Sequence, residues 1–336
     1  MFNFLHSIFS ETEPSGDRGY DDRLLDAATE RLVDATDPRL RVVSGYKRKL
    51  RAGVERAVDH AVHAGDALSA PLELSRSAFG RDPRVRAMFA SAEHLEETLN
   101  TSTTIRQWLE HADASLDTVY ALLVVNWAEQ QTFGMELEGD IVRRDVAQVV
   151  VNFGNHRFPA VAGQDVEVRR EVKKLAFDLL VKAALARLVS QRGQRRELER
   201  ERLLLSKKLN ELDAAHVGLK LDATPQAAAD DPAAAAARLA QIESELSELR
   251  AEAGTLDDHL KILAATLSQA SEHLTLAPVS FVLDHRNVKR SKPDGETIHA
   301  VVFQEARADN RHALVMLVQF PRASIHPIRG LGEWKI

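Results

Sequence analysis

Between Leu239 and Leu274 the apolar residues alternate in steps of three and four without a fault: Leu239, Ile242, Leu246, Leu249, Ala253, Leu256, Leu260, Leu263, Leu267, Ala270 and Leu274. This is the heptad rhythm of a helix whose seam is buried against a second helix, and it restricts the chain more than any other feature. The preceding stretch keeps the same seam less regularly. Phe177, Val181, Ala184 and Leu188 hold it, Gln191, Arg195 and Arg202 interrupt it, and Leu198, Leu205, Leu209 and Leu212 resume it. Pro225 and Pro232 lie between the two stretches and end one helix before the next begins. The pattern predicts an antiparallel coiled-coil hairpin over residues 164–277.

Charge decides between a hairpin and a seam shared by two chains. The first arm carries Arg192, Arg195, Arg196, Arg200, Arg202, Lys207 and Lys208 against Glu197, Glu199 and Glu201. Folding about residue 225 sets this run opposite Glu243, Glu245, Glu248, Glu252, Asp257 and Asp258, against which stands Arg250. Flanking charges select coiled-coil partners, so the basic arm is expected to face its own acidic arm. The neutralised field also disfavours nucleic acid as a ligand of these arginines. The polar interruption at Arg192, Arg195 and Arg196 is where the arm is expected to receive a partner. Its projection is roughly 60 Å at about 1.5 Å per residue.

The remaining composition agrees with a helix-rich protein. Of 336 residues, 44% are apolar and only 5% aromatic, which supplies a core without favouring a compact β-fold. Cysteine is absent, which excludes disulfides, thiolate metal sites and a cysteine nucleophile, and leads to the expectation of a cytoplasmic protein. No run approaches the roughly 20 apolar residues of a transmembrane helix. Met1, Phe2, Leu5, Ile8 and Phe9 share one helical face, but no Lys or Arg accompanies them and Glu11, Glu13 and Asp17 follow, which opposes docking on anionic lipid.

Helical periodicity runs over 23–35, 38–68, 91–99, 103–112 and 115–131, with Asp37, Ser91 and Thr103 as caps and Pro38 in a first turn. The segment 116–127 is apolar on nearly every side and is expected to be the buried central helix of this bundle. Alternation then takes over across 132–158, with Gly139 and Asp140 at a turn, and returns over 279–286, 297–305 and 312–320. The expected fold class is mostly α with a small β portion (α+β). Its parts are a flexible segment 1–22, a helical bundle 23–131, a β-hairpin 132–163 joining a C-terminal sheet 278–336, and the coiled coil 164–277 inserted between them.

The chain carries few catalytic signatures. Gly330, Leu331 and Gly332 do not make a phosphate loop, and neither a zinc-protease helix nor a serine-hydrolase elbow is present. His60 and His63, beside Asp59, share a helical face and form half of a metal site at most. On the C-terminal strands, Asp284, His285, His299 and Glu305 are candidate ligands, with Asp284 and His285 on opposite faces by strand parity and His156 on the other β-segment as a further member. Residues 279–336 hold nine Lys or Arg against six Asp or Glu, with Arg286, Lys289, Arg290 and Lys292 at one hairpin tip where a phosphate is a candidate ligand. No aromatic residue interleaves with them, as single-strand binders require.

The sequence therefore reads as a non-catalytic interaction or assembly protein that requires no cofactor and holds a protein partner, or a second copy of itself, through its arm. The alternative is a metal-dependent hydrolase or nucleic-acid-processing protein with its site around Asp284, His285 and Glu305.

Overall fold

The computed structural model describes residues 20–138, 141–216, 232–253, 255–294, 297–309 and 311–325. The chain has a mixed α+β fold that divides into two compact units. One comprises residues 1–57 and 180–270, the other 58–179 and 271–336. The expected N-terminal segment 1–22 falls outside the described residues as far as residue 19, and so does the tail from residue 326.

The second unit is built on a sheet. Its strands are β1 (Leu72–Glu73), β2 (Thr118–Glu138), β3 (Ile141–Ala162), β4 (Leu274–Asp284), β5 (Ile298–Ala308) and β6 (Arg311–Pro321). They run in the order β3-β2-β6-β5-β4 with antiparallel neighbours, and β1 pairs in parallel with β6 beyond the end of β5. The strands predicted on either side of the helical insertion thus belong to one sheet, through β2 and β6. Single bridges, Leu283↔Lys289 and Val150↔Val288, carry the free side of β4 round to β3 and join the two ends of the strand order.

The largest departure from the sequence reading lies here. Residues 116–127 are not a helix: from Thr118 they form strand β2. Val119, Ala121, Leu123 and Val125 face a core with Phe281, Phe303, Leu314 and Phe320, while Leu122 and Val124 face the opposite layer with Ala160, Ala162 and Leu317. A strand buried on both faces loses its alternation, so its apolar run cannot be told from a buried helix by period. The β-branched and aromatic content of Val119, Tyr120, Val124, Val125 and Trp127 was the signal for a strand.

Four short helices cover the first face: α3 (Arg76–Arg81), α4 (Pro83–Met88), α5 (Ala92–Thr101) and α6 (Thr103–Leu109). Ser91 caps α5 as expected, its Oγ accepting from His94 N, whereas the cap of α6 is Ser102 and not Thr103. The other face packs on Val168, Val172 and Leu175, from the start of the long helix α7 (Asp165–His216).

The first unit is helical. It contains α1 (Asp22–Thr36), a 3-10 turn at Pro38–Val42, the start of α2 (Tyr46–Asp66), the remainder of α7, α8 (Pro232–Ala253) and α9 (Leu256–Ser268). The single helix predicted over 38–68 is broken because Asp37 caps a 3-10 turn and Gly45 takes a left-handed φ of 69°. Gly53 lets α2 and α9 approach closely: a Cβ there would lie 2.6 Å from the Ala264 carbonyl oxygen.

The return arm was predicted as one helix and is two. Thr255 opens α9 with a reciprocal capping box to Asp258, whose carboxyl is held down to about 2 by hydrogen bonds from Thr255 and Lys261. After α10 (Ala270–His273), Leu274 already belongs to β4. Val181, Ala184, Leu188, Ile242, Leu246, Leu260, Leu263 and Leu267 are buried, as their seam positions demand. Arg238 of α8 makes a bidentate pair with Glu201 of α7 at 3.0 Å, whereas folding about residue 225 would set Glu201 opposite residue 249. That offset shifts the facing residue by about three helical turns and keeps the same stripe inward. On charge, Arg195 pairs at 3.0 Å with Glu199 of its own helix. The turn over 222–233 lies outside the described residues as far as residue 231.

Candidate functional site

A pocket of about 220 Å³ opens at the outer end of the β4–β5 pair, where α4 crosses it. Its walls are Pro83, Arg86 and Ala87 on α4, Leu283 and Asp284 at the end of β4, His285 and Asn287 in the following turn, and Thr297, His299 and Val301 leading into and along β5. Asp284 and His285 line the same cavity. The parity argument that separated them fails because β4 ends at Asp284, so His285 is in a turn and follows no pleat.

Asp284 organises that turn. One carboxylate oxygen accepts from the backbone N–H of Arg286 at 2.9 Å and of Val288 at 3.0 Å, and the other accepts from Arg290 Nη2 at 3.0 Å. Burial pushes the carboxyl up, but these N–H groups and the Arg290 guanidinium hold it below its ordinary value. Asn287, at a φ of 58°, donates its side-chain amide to the Ala87 carbonyl at 2.8 Å and ties the turn to α4. Arg86 Nη2 lies 3.4 Å from His299 Nε2, the acceptor of a neutral imidazole.

Glu305 is elsewhere. The register sets it opposite Ala277, while Asp284 is opposite Ile298, so seven residues, about 23 Å of strand, separate them. Its side chain is 3% exposed and fully engaged: Oε1 accepts from Trp127 Nε1 at 2.9 Å and His312 Nδ1 at 3.0 Å, and Oε2 from Arg307 Nε at 2.7 Å. Burial raises this carboxyl and the bonds from Arg307, Trp127 and His312 outweigh it, leaving it below its ordinary value. The His312 ring meets Glu305 through Nδ1.

His156 belongs to neither place. Its ring stacks on Phe89 at 4.6 Å, its Nε2 meets the Met88 carbonyl at 2.9 Å, and burial lowers its pKa. His60 Nε2 meets the Leu274 carbonyl at 2.7 Å, and His63 Nδ1 meets the Asp59 carbonyl at 2.8 Å. Each ring is thus engaged by a backbone oxygen, and no group of three His, Asp or Glu side chains able to hold a metal is found among the described residues. Of the tip cations, Arg290 is taken by Asp284 and Lys289 by Glu129 at 2.8 Å, which leaves Arg286 and Lys292 exposed. Arg195 and Arg196 lie on α7, the first half-buried against Glu199 and the second exposed; the side chain of Arg192 is outside the described set.

Arg86, Trp127 and His312 were not singled out from sequence. Arg86 lies on a six-residue helix, too short to show a period, and Trp127 is 178 residues from Glu305. The one available signal was parity, since His312 directly faces Arg307, two residues along β5 from Glu305.

Comparison of the chain with protein-family models, with curated proteins and with solved structures returns no match.

Proposed function

We propose that the protein is a non-catalytic interaction or assembly component whose helical arm holds a protein partner. The observation behind this reading is the outer face of α7. Val189, Leu203 and Leu204 are 55%, 69% and 61% exposed there, although the same helix buries Val181, Ala184 and Leu188 on its inner face. Arg196 and Arg200 stand exposed between them. Apolar side chains rimmed by cations on a long helix suit an amphipathic helix carrying carboxylates beside its apolar stripe. At 52 residues α7 is about 78 Å long, which offers such a partner several turns.

The cysteine-free sequence supports a cytoplasmic setting for this role, and no helix among the described residues is long and apolar enough to cross a membrane. The hydrolase alternative has no comparable support, since Glu305 stands about seven residues of strand away from Asp284 and His285. A double substitution, Leu203→Glu with Leu204→Glu, tests the reading in the full chain. It should abolish recovery of crosslinked partners, or self-association measured by light scattering, with circular dichroism unchanged. Identical partners and identical mass in the variant would refute it.

A further inference from the structure

We infer that the pocket between α4 and the β4–β5 end is a binding site for a small phosphate-class oxyanion, with Arg86 as its principal anchor. This site is independent of the helical arm, and the inference goes beyond the interaction role.

Several arginines of the same unit have carboxylate partners: Arg84 pairs with Asp82 at 2.7 Å, Arg76 with Glu96 at 3.0 Å, Arg290 with Asp284 at 3.0 Å and Arg307 with Glu305 at 2.7 Å. Arg86 is as sheltered as Arg84, yet among the described residues its guanidinium meets only the ring nitrogen of His299 at 3.4 Å. A half-buried guanidinium with five N–H donors and one long, weak acceptor has most of its protein-side bonding capacity unused, and an anion in the cavity would supply acceptors.

The cavity beside it is furnished accordingly. Asp284 is the acid in its described lining, and it does not oppose an anion because two backbone N–H groups and Arg290 already satisfy it. His299 and His285 also line the cavity, and an imidazole N–H is a donor suited to an oxyanion. The volume of about 220 Å³ holds a phosphate with a small substituent. Arg86 is geometrically suited to such a group, because its fork matches two oxygens of a tetrahedral oxyanion.

Inorganic phosphate is the first probe, added to the full chain at constant ionic strength while the imidazole ¹H–¹³C signals of His299 are followed. A saturable shift of His299 is expected. Arg86→Gln should weaken phosphate binding at least tenfold, Arg86→Lys should restore part of it, and Arg311→Gln, exposed at the start of β6, should leave it unchanged. The melting temperature without phosphate controls for misfolding of the Arg86 variants, and the wild-type His299 titration stands without them. No saturable His299 response, or an equal loss in Arg311→Gln, would overturn the assignment. Acetate binding more tightly than phosphate would overturn the ligand class.

Discussion

Trp127 Nε1 donates to Glu305 Oε1 at 2.9 Å, a bond that spans from β2 to β5 across the intervening β6. Three donors converge on that one buried carboxylate, so its loss strands all of them. Glu305→Ala is expected to cost about 2–3 kcal/mol and Glu305→Gln less, since the amide oxygen keeps one acceptor. The depressed pKa adds a pH signature. Because the folded value lies below the unfolded value near 4.5, the contribution is complete above pH 4.5 and is lost as pH falls through the folded pKa. Urea titrations of Glu305→Gln should therefore show a flatter acid limb than the parent; parallel limbs would exclude this role.

His156 gives a second, separate pH window. Burial holds it neutral, with the Met88 carbonyl and the nearby His94 as its polar surroundings. Its folded pKa is below the unfolded 6.5, so stability is complete above pH 6.5 and declines as pH drops toward the folded value. His156→Phe keeps the stack on Phe89 and removes the titration. Its stability should be nearly constant between pH 7.5 and about 5, where the wild type loses stability.

Gly53 tests the contact between α2 and α9. Alanine is the better helix former by about 1 kcal/mol, so propensity alone favours Gly53→Ala. The Cβ would instead meet the Ala264 carbonyl oxygen at 2.6 Å, backbone that cannot rotate away. A net destabilisation of about 1–3 kcal/mol is expected in thermal melts. A stabilised variant would show that the helices do not approach so closely.

Arg169 finishes α2 from a distance. Its Nη1 donates to the carbonyls of Gly65 at 3.1 Å and Leu68 at 2.8 Å, Nη2 to Ser69 at 3.2 Å, and Nε to Asp165 at 2.9 Å. These are carbonyls at and just beyond a helix end, which have no partners of their own. Arg169→Ala should cost about 2 kcal/mol, and Arg169→Lys should recover only part because an ammonium lacks the fork. Hydrogen exchange localised to residues 62–69 would report the loosened end.

Gln191 offers a gain. Its Oε1 is the one buried side-chain polar atom among the described residues that lacks a hydrogen-bond partner. Gln191→Leu removes that penalty and extends the seam, so the melting temperature should rise, by an amount corresponding to about 1 kcal/mol. A fall would mean that the amide has a role in the arm beyond filling space.

These residues also show what could and could not be read in advance. The three C-terminal strands were readable because alternating Val301, Phe303 and Glu305 point inward while their neighbours point out. Strand β2 was misread because it is buried on both faces, which erases the alternation that betrays a strand. His299 and Asp284 were found by residue type, but Arg86 had no local pattern, and only the crossing of α4 over β5 makes it their neighbour. The helices of the two arms were legible from their heptad rhythm, whereas the offset between them was not: two stripes of the same period fit at offsets of about three turns, and one ion pair, Arg238 with Glu201, links α8 to α7.

The central position of β6 has a consequence during synthesis. Val119 pairs with Phe320, which follows it by 201 residues, so β2 leaves the ribosome with one edge unfilled. At about 5–20 residues per second that edge waits roughly 10–40 s for its neighbour. Throughout that interval the nascent β2–β3 ribbon presents unpaired N–H and C=O groups to anything able to add a strand, and the whole helical excursion emerges in the meantime. For this chain the hazardous period is therefore set by the length of the insertion: each residue removed from the arm shortens the exposure of β2.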